Sequence, residues 1–93
     1  MAADNYTIAD QFSLLSKLMD IHGENEFKSK SYSVAAFTIE KITTPVAEIE
    51  AARLSTIKGI GQSAAKKIVE IVETGRLAAL DDLVQKTPPG VLE

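Results

Sequence analysis

A tight Gly59-Ile60-Gly61 turn between two apolar segments constrains this chain more than any other stretch. It lies within LSTIKGIGQSAAKKIVEIV, residues 54–72. Glycine carries no Cβ, so the chain can reverse sharply there and another molecule's backbone can approach the exposed N–H groups, for which an anion is the natural guest. Ile57 and Ile60 flank the turn, and Ala64, Ala65, Ile68, Val69 and Val72 follow at helical spacing. The pattern predicts helix, hairpin, helix.

Helical periodicity also organises the rest of the chain. Ile8, Phe12, Leu15, Leu18 and Met19 form one stripe ending near Gly23, with Asn5 and Thr7 as expected N-caps. The single histidine, His22, falls at the end of that helix, which favours a helix-end role over metal ligation. A second helix is predicted from about Glu26 through Tyr32, Ala35, Ala36, Ile39 and Ile42, where the alanine pair allows another helix to come close and Val34 and Phe37 fall off the stripe. Thr44 is expected to cap a short third helix, with Pro45 at its first position and Val46 and Ile49 carrying it towards the hairpin. After the glycines a helix runs from Gln62 to Thr74, with Gly75 as a left-handed cap. Leu77, Leu80, Leu83 and Val84 mark a last helix, which Pro88-Pro89-Gly90 terminates. The expected fold is all-α, a compact bundle of four main helices plus a short connecting helix, in one domain over residues 1–93.

Composition removes several function classes. A chain of 93 residues, 45% of them hydrophobic, builds one modest core and no large catalytic cleft. The absence of cysteine removes disulfides and thiolate metal sites. No apolar run is long enough to cross a bilayer, and the start MAADNYT lacks the features of a secretory signal, so a cytoplasmic, monomeric protein is expected. The net charge of −3 argues against a broad nucleic-acid surface. Its distribution qualifies that: residues 1–50 hold eight acidic and four basic side chains, whereas Arg53–Arg76 holds five basic and two acidic ones. Any positive patch is local to the hairpin. No Gly-Lys-Ser/Thr ending follows the glycines, which disfavours Walker-type nucleotide binding.

Leu54, Ile57, Gly59, Ile60, Gly61, Ala65, Ile68 and Val69 together resemble the helix-hairpin-helix motif of DNA repair and replication proteins. The resemblance extends over nearly the whole chain. The first helix, GENEFKSKSY, the hairpin and TGRLAALDDLVQKTPPG are similar to the amino-terminal domain of X-family DNA polymerases of bacterial type. It implies a small helical domain that grips gapped or 5′-phosphorylated DNA, here as an N-terminal fragment of a longer polymerase or repair protein. Main-chain donors at Gly59, Ile60 and Gly61 would hold phosphates without reading bases, and Lys58, Lys66 and Lys67 would add attraction. Lys28 and Tyr32 match positions around the 5′-phosphate. The carbonyls of Ser55, Ile57 and Ile60 match those that hold Na+ or K+ in family members, and no other cofactor is implied.

The resemblance also implies an enzyme reading. The family's Schiff-base lysine, which removes a 5′-deoxyribose phosphate by β-elimination, falls on Lys67. Such a lysine attacks only as the neutral amine, a form favoured by desolvation or neighbouring positive charge such as Lys66. The bland alternative is a solvated helix face with Lys66 and Glu70 as an i,i+4 surface pair. Three departures bear on catalysis: Ser55 and Ser63 stand at basic positions of the family, and Lys66 stands at an acidic one. A third class, a protein-interaction module, is suggested by the acidic balance and by Val34 and Phe37.

Overall fold

The computed structural model describes residues 4–87. Helix α1 (Asn5–Ile21) begins at Asp4 rather than at Asn5 or Thr7, because the Asp4 carboxylate accepts the Thr7 N–H at 2.7 Å. That backbone bond, reinforced by the Thr7 side chain, holds the Asp4 carboxyl pKa below its ordinary 3.8. Helix α2 (Glu26–Lys41) starts where the sequence places it, with the Asn25 side chain accepting from the N–H groups of Phe27 and Lys28.

These two helices make the most extensive contact of the molecule. Ala9, Ala35 and Ala36 are buried between large side chains, so the backbones come close, as the small pair predicts. Phe12 and Tyr32 pack at a tilted 5.9 Å between ring centroids. Burying each large apolar side chain contributes about 1.5–3 kcal/mol. The close approach also buries Ser16 and Ser29, which no periodicity marked; Ser16 Oγ donates to the Ser29 carbonyl at 2.8 Å, and Ser29 Oγ lies 2.6 Å from Asp20 Oδ1. Val34 and Phe37 are exposed, as is Phe27.

The connection to the hairpin departs from the expected single helix. Pro45 precedes a 3-10 turn (Val46–Glu48) instead of opening a helix, and Thr44 makes no capping bond. Ile49 and Glu50 are extended, and a separate one-turn helix, α3 (Ala51–Leu54), follows. The physical reason lies in Asn5. Its Nδ2 donates to the carbonyls of Ile42 and Thr44 at 3.1 and 3.0 Å, and its Oδ1 accepts the Val46 N–H at 2.8 Å. One side chain, spent elsewhere than on its own helix, thus satisfies the backbone of a segment about forty residues away.

Helix α4 (Gln62–Thr74) has the predicted bounds, and Gly75 closes it in the left-handed conformation with φ 76°. Helix α5 (Ala78–Lys86) ends before the prolines, which lie outside the described residues together with residues 90–93. Leu80 and Leu83 are buried, but Val84 is 40% exposed and does not belong to the core stripe. Glu70 does not pair with Lys66; its Oε2 accepts the Ala78 N–H at 2.7 Å and caps α5, where a negative charge meets the helix dipole favourably. His22 is the C-cap of α1, and its Nε2 lies 2.9 Å from Thr87 Oγ1. Because the Thr87 hydroxyl donates to the Leu83 carbonyl, it is placed to accept from His22 Nε2. Among the described residues there is no strand, and no helix is long and apolar enough to cross a membrane.

Candidate nucleic-acid interface

The hairpin is the short connection between α3 and α4. Leu54 anchors its first arm in the core at 1% exposure, and the N–H of Ile57 donates to the Leu54 carbonyl at 3.2 Å. Ile60 plugs the turn into the core, and its own N–H donates to the Ile57 carbonyl at 3.0 Å. The two glycines play different parts. Gly59 has φ +99°, and a Cβ there would run into Thr38 Oγ1 of α2. Gly61 has an ordinary φ of −83° and ψ of −179°, and a Cβ there would meet nothing within 4 Å.

Gly61 is also the N-cap of α4, with no side-chain capping bond. The first internal bond of that helix joins the Ala65 N–H to the Gly61 carbonyl at 2.9 Å. Among the described residues no acceptor takes the N–H of Gly59, Gly61, Gln62, Ser63 or Ala64. Of the three turn donors expected from the sequence, Ile60 is therefore engaged inside the turn, and in the first turn of α4 the exposed Gln62 and Ser63 add open donors in its place, whereas Ala64 is buried. Such a row of N–H groups at the positive end of a 13-residue helix suits an oxyanion.

Two depressions adjoin the open donors and a third lies on another side of α4, while a further one, lined by Ile42, Glu48, Glu50, Arg53, Thr56 and Ile57, adjoins the first arm of the hairpin. On the α2 side, Phe27, Lys30, Ser31 and Val34 line a groove with Gly59, Ile60 and Gly61. Phe27, 83% exposed, stands against the turn although the sequence pattern gave it no role. Between α3 and α4, Ala51, Ala52, Ala65 and Val69 line a second groove together with Ser55, Gln62 and Lys66. The third depression brings Lys28, Tyr32 and Lys67 together, with Glu24, Asp82 and Lys86 also on its wall. There Lys67 Nζ lies 5.5 Å from the Tyr32 ring centroid, and the Tyr32 hydroxyl is 2.7 Å from Ser63 Oγ. Lys86 is partnered by Asp82 at 3.1 Å. Adjacent on α4, Lys66 and Lys67 thus line different depressions. Lys58 is exposed beside the turn.

The carbonyls of Ser55, Ile57 and Ile60 all belong to this turn. That of Ile57 accepts the Ile60 N–H and retains a second lone pair. A set of backbone carbonyl oxygens is compatible with a hard monovalent cation.

The family described as helix-hairpin-helix domain matches residues 3–77. The chain belongs to the helix-hairpin-helix domain family. It is also similar to DNA polymerase lambda of Rattus norvegicus, with 28% identity over 88 residues. That alignment covers 92% of this chain and 15% of the relative, so this chain spans a small part of the relative's length. A helix-hairpin-helix domain is in general capable of non-specific DNA backbone binding.

Proposed function

We propose that this helix-hairpin-helix domain binds DNA without reading sequence, at gapped or 5′-phosphorylated sites in repair or replication. It would do so in the cytoplasm, as a monomeric N-terminal part of a longer X-family polymerase or repair protein of bacterial type. The observation that carries the reading is the open row of N–H groups from Gly59 and Gly61 into the first turn of α4, flanked by Lys58 and Lys66. Phosphate oxygens accept from these donors, and the helix dipole and lysines add attraction. On the other side of α4, Lys28 and Lys67 would receive the 5′-phosphate, with Tyr32 shaping the wall. Na+ or K+ held by the carbonyls of Ser55, Ile57 and Ile60 would add positive charge beside the bound strand.

A single hairpin touches few phosphates, so affinity is modest and falls with added salt. Titrating 15N-labelled protein at low salt with gapped, 5′-phosphorylated DNA should move the amide signals of residues 57–67. Unmoved signals there would refute the reading for this domain.

A second reading, deoxyribose-phosphate lyase, is supported by the meeting of Lys67 with Lys28 and Tyr32 in one depression. Lys67 Nζ would add to the sugar aldehyde and the adduct would lose water to form an imine; water would then take the proton of the adjacent carbon as the β-phosphate leaves, and hydrolysis of the imine would free Lys67. In the same wall Lys86 partners Asp82, and Glu24 weakens the attraction for phosphate in both readings. Borohydride trapping on an incised abasic site, abolished by Lys67→Ala, tests it. A third reading, protein docking, is supported by exposed Phe27, Val34 and Phe37 along α2. Shifts confined to that face when a partner protein is added, with no response to DNA, would favour it.

A further inference from the structure

We infer that the groove between α3 and α4 is a second contact for the DNA strand held at the hairpin, with Lys66 as its charge. The inference rests on the reading of the hairpin as a phosphate-binding turn. It divides two neighbouring lysines that the sequence groups together.

Gln62, the first residue of α4, belongs both to the row of open N–H groups and to the lining of this groove. Lys66 follows four residues further along the same groove, about 6 Å down the helix axis. A phosphate on the N–H row therefore leaves the next phosphate of the strand within the sweep of an exposed lysine arm. Ser55, at the end of α3, offers a hydroxyl to the same backbone. The rest of the lining is Ala51, Ala52, Ala65 and Val69. Side chains this small let a sugar–phosphate backbone lie close, and the apolar face of deoxyribose packs against methyl groups without leaving a polar group unpaired.

The occupant follows from charge and continuity. Lys66 is the one ionisable side chain lining the groove, and it forms no ion pair among the described residues. The groove meets the row of open donors at Gln62. Lys67, one position on, lines the depression with Lys28, Tyr32, Glu24 and Asp82. Lys66 thus serves a continuing strand, and Lys67 a strand end.

Fluorescence anisotropy with one gapped duplex, prepared with and without its 5′-phosphate, separates the two at several salt concentrations. Lys66→Ala should weaken both duplexes by the same factor, about threefold to tenfold, and lower the salt slope by about 1. Ala52→Glu, an exposed change in the groove lining, should weaken both as well. Lys67→Ala should act chiefly on the phosphorylated duplex. Lys17→Ala on α1 controls for loss of net charge. Unchanged binding by both Lys66→Ala and Ala52→Glu, in a protein whose hairpin amides still respond to DNA, would overturn the groove and leave the hairpin reading standing. A Lys66→Ala effect limited to the phosphorylated duplex would likewise overturn it. A wild-type protein whose hairpin amides ignore both duplexes removes both readings.

Discussion

The inner arm of the hairpin, Leu54 to Ile60, and its outer arm, Gly61 to Ala64, are joined in sequence but constrained from opposite directions. The apolar side chains and the glycine of the inner arm answer to the fold: Leu54 and Ile60 fill the core, Ile60 closes the turn, and Gly59 is required because φ is +99° and Thr38 stands against it. The outer arm answers to nothing inside the domain at Gly61, which has an ordinary φ and open space where a side chain would be. The difference teaches that two glycines one residue apart can be there for unrelated reasons. One lets the chain turn, and the other leaves open space beside the unpaired N–H groups.

Substitutions should therefore read out as stability on the inner arm and as binding on the outer. The largest effect is expected for Leu54→Ala, which empties a site at 1% exposure and should cost about 2–5 kcal/mol in urea unfolding. That is a large part of the roughly 5–15 kcal/mol a domain possesses. Gly59→Ala should cost about 1–3 kcal/mol through backbone strain and the contact with Thr38. Adding Thr38→Ala should recover part of that loss, a coupling of about 0.5 kcal/mol or more in a double-mutant cycle. Strict additivity would mean that φ alone makes Gly59 necessary.

Asn5→Ala extends the comparison to what holds the inner arm. Losing three bonds to the 42–46 segment should cost about 1–3 kcal/mol and speed amide exchange near Val46 before α1 is affected. Gly61→Ala should change stability by about 1 kcal/mol or less, since its Cβ meets nothing, yet weaken DNA binding about tenfold by obstructing the donors. A stability loss as large as that of Gly59→Ala, with affinity kept, would erase the distinction between the arms.

The smallest effect lies far from both. The Asp4 carboxyl has a lowered folded pKa, so the unfolded chain takes up its proton first as pH falls. Its contribution is complete above the ordinary value of 3.8 and is lost as pH drops through that value and then through the lower folded one. Asp4→Ala should accordingly narrow the gap in urea midpoint between neutral pH and acid.

Much of this was written in the spacing of apolar residues. The stripes of α1, α2, α4 and α5, the start of α2 and the left-handed cap at Gly75 were legible because local periodicity and cap chemistry dictate them. The hairpin was legible because its glycines and flanking isoleucines lie within one short window. Three features were not, and each depends on a partner distant in sequence. Asn5 has the composition of a cap but serves a loop about forty residues on. Glu70 has the spacing of a surface pair with Lys66 but caps another helix. Ser16 and Ser29 look exposed by composition but are buried because they satisfy each other.

By itself, then, the sequence determined an all-α domain built on a two-glycine turn, since helical period and turn chemistry are properties of near neighbours. Only the tertiary structure decided which glycine belongs to the fold, which N–H groups stay open, and that Lys66 and Lys67 face different depressions. Helical side chains one residue apart diverge by about 100°. What lies opposite each is set by α2, α3 and α5, which no local pattern on α4 can name.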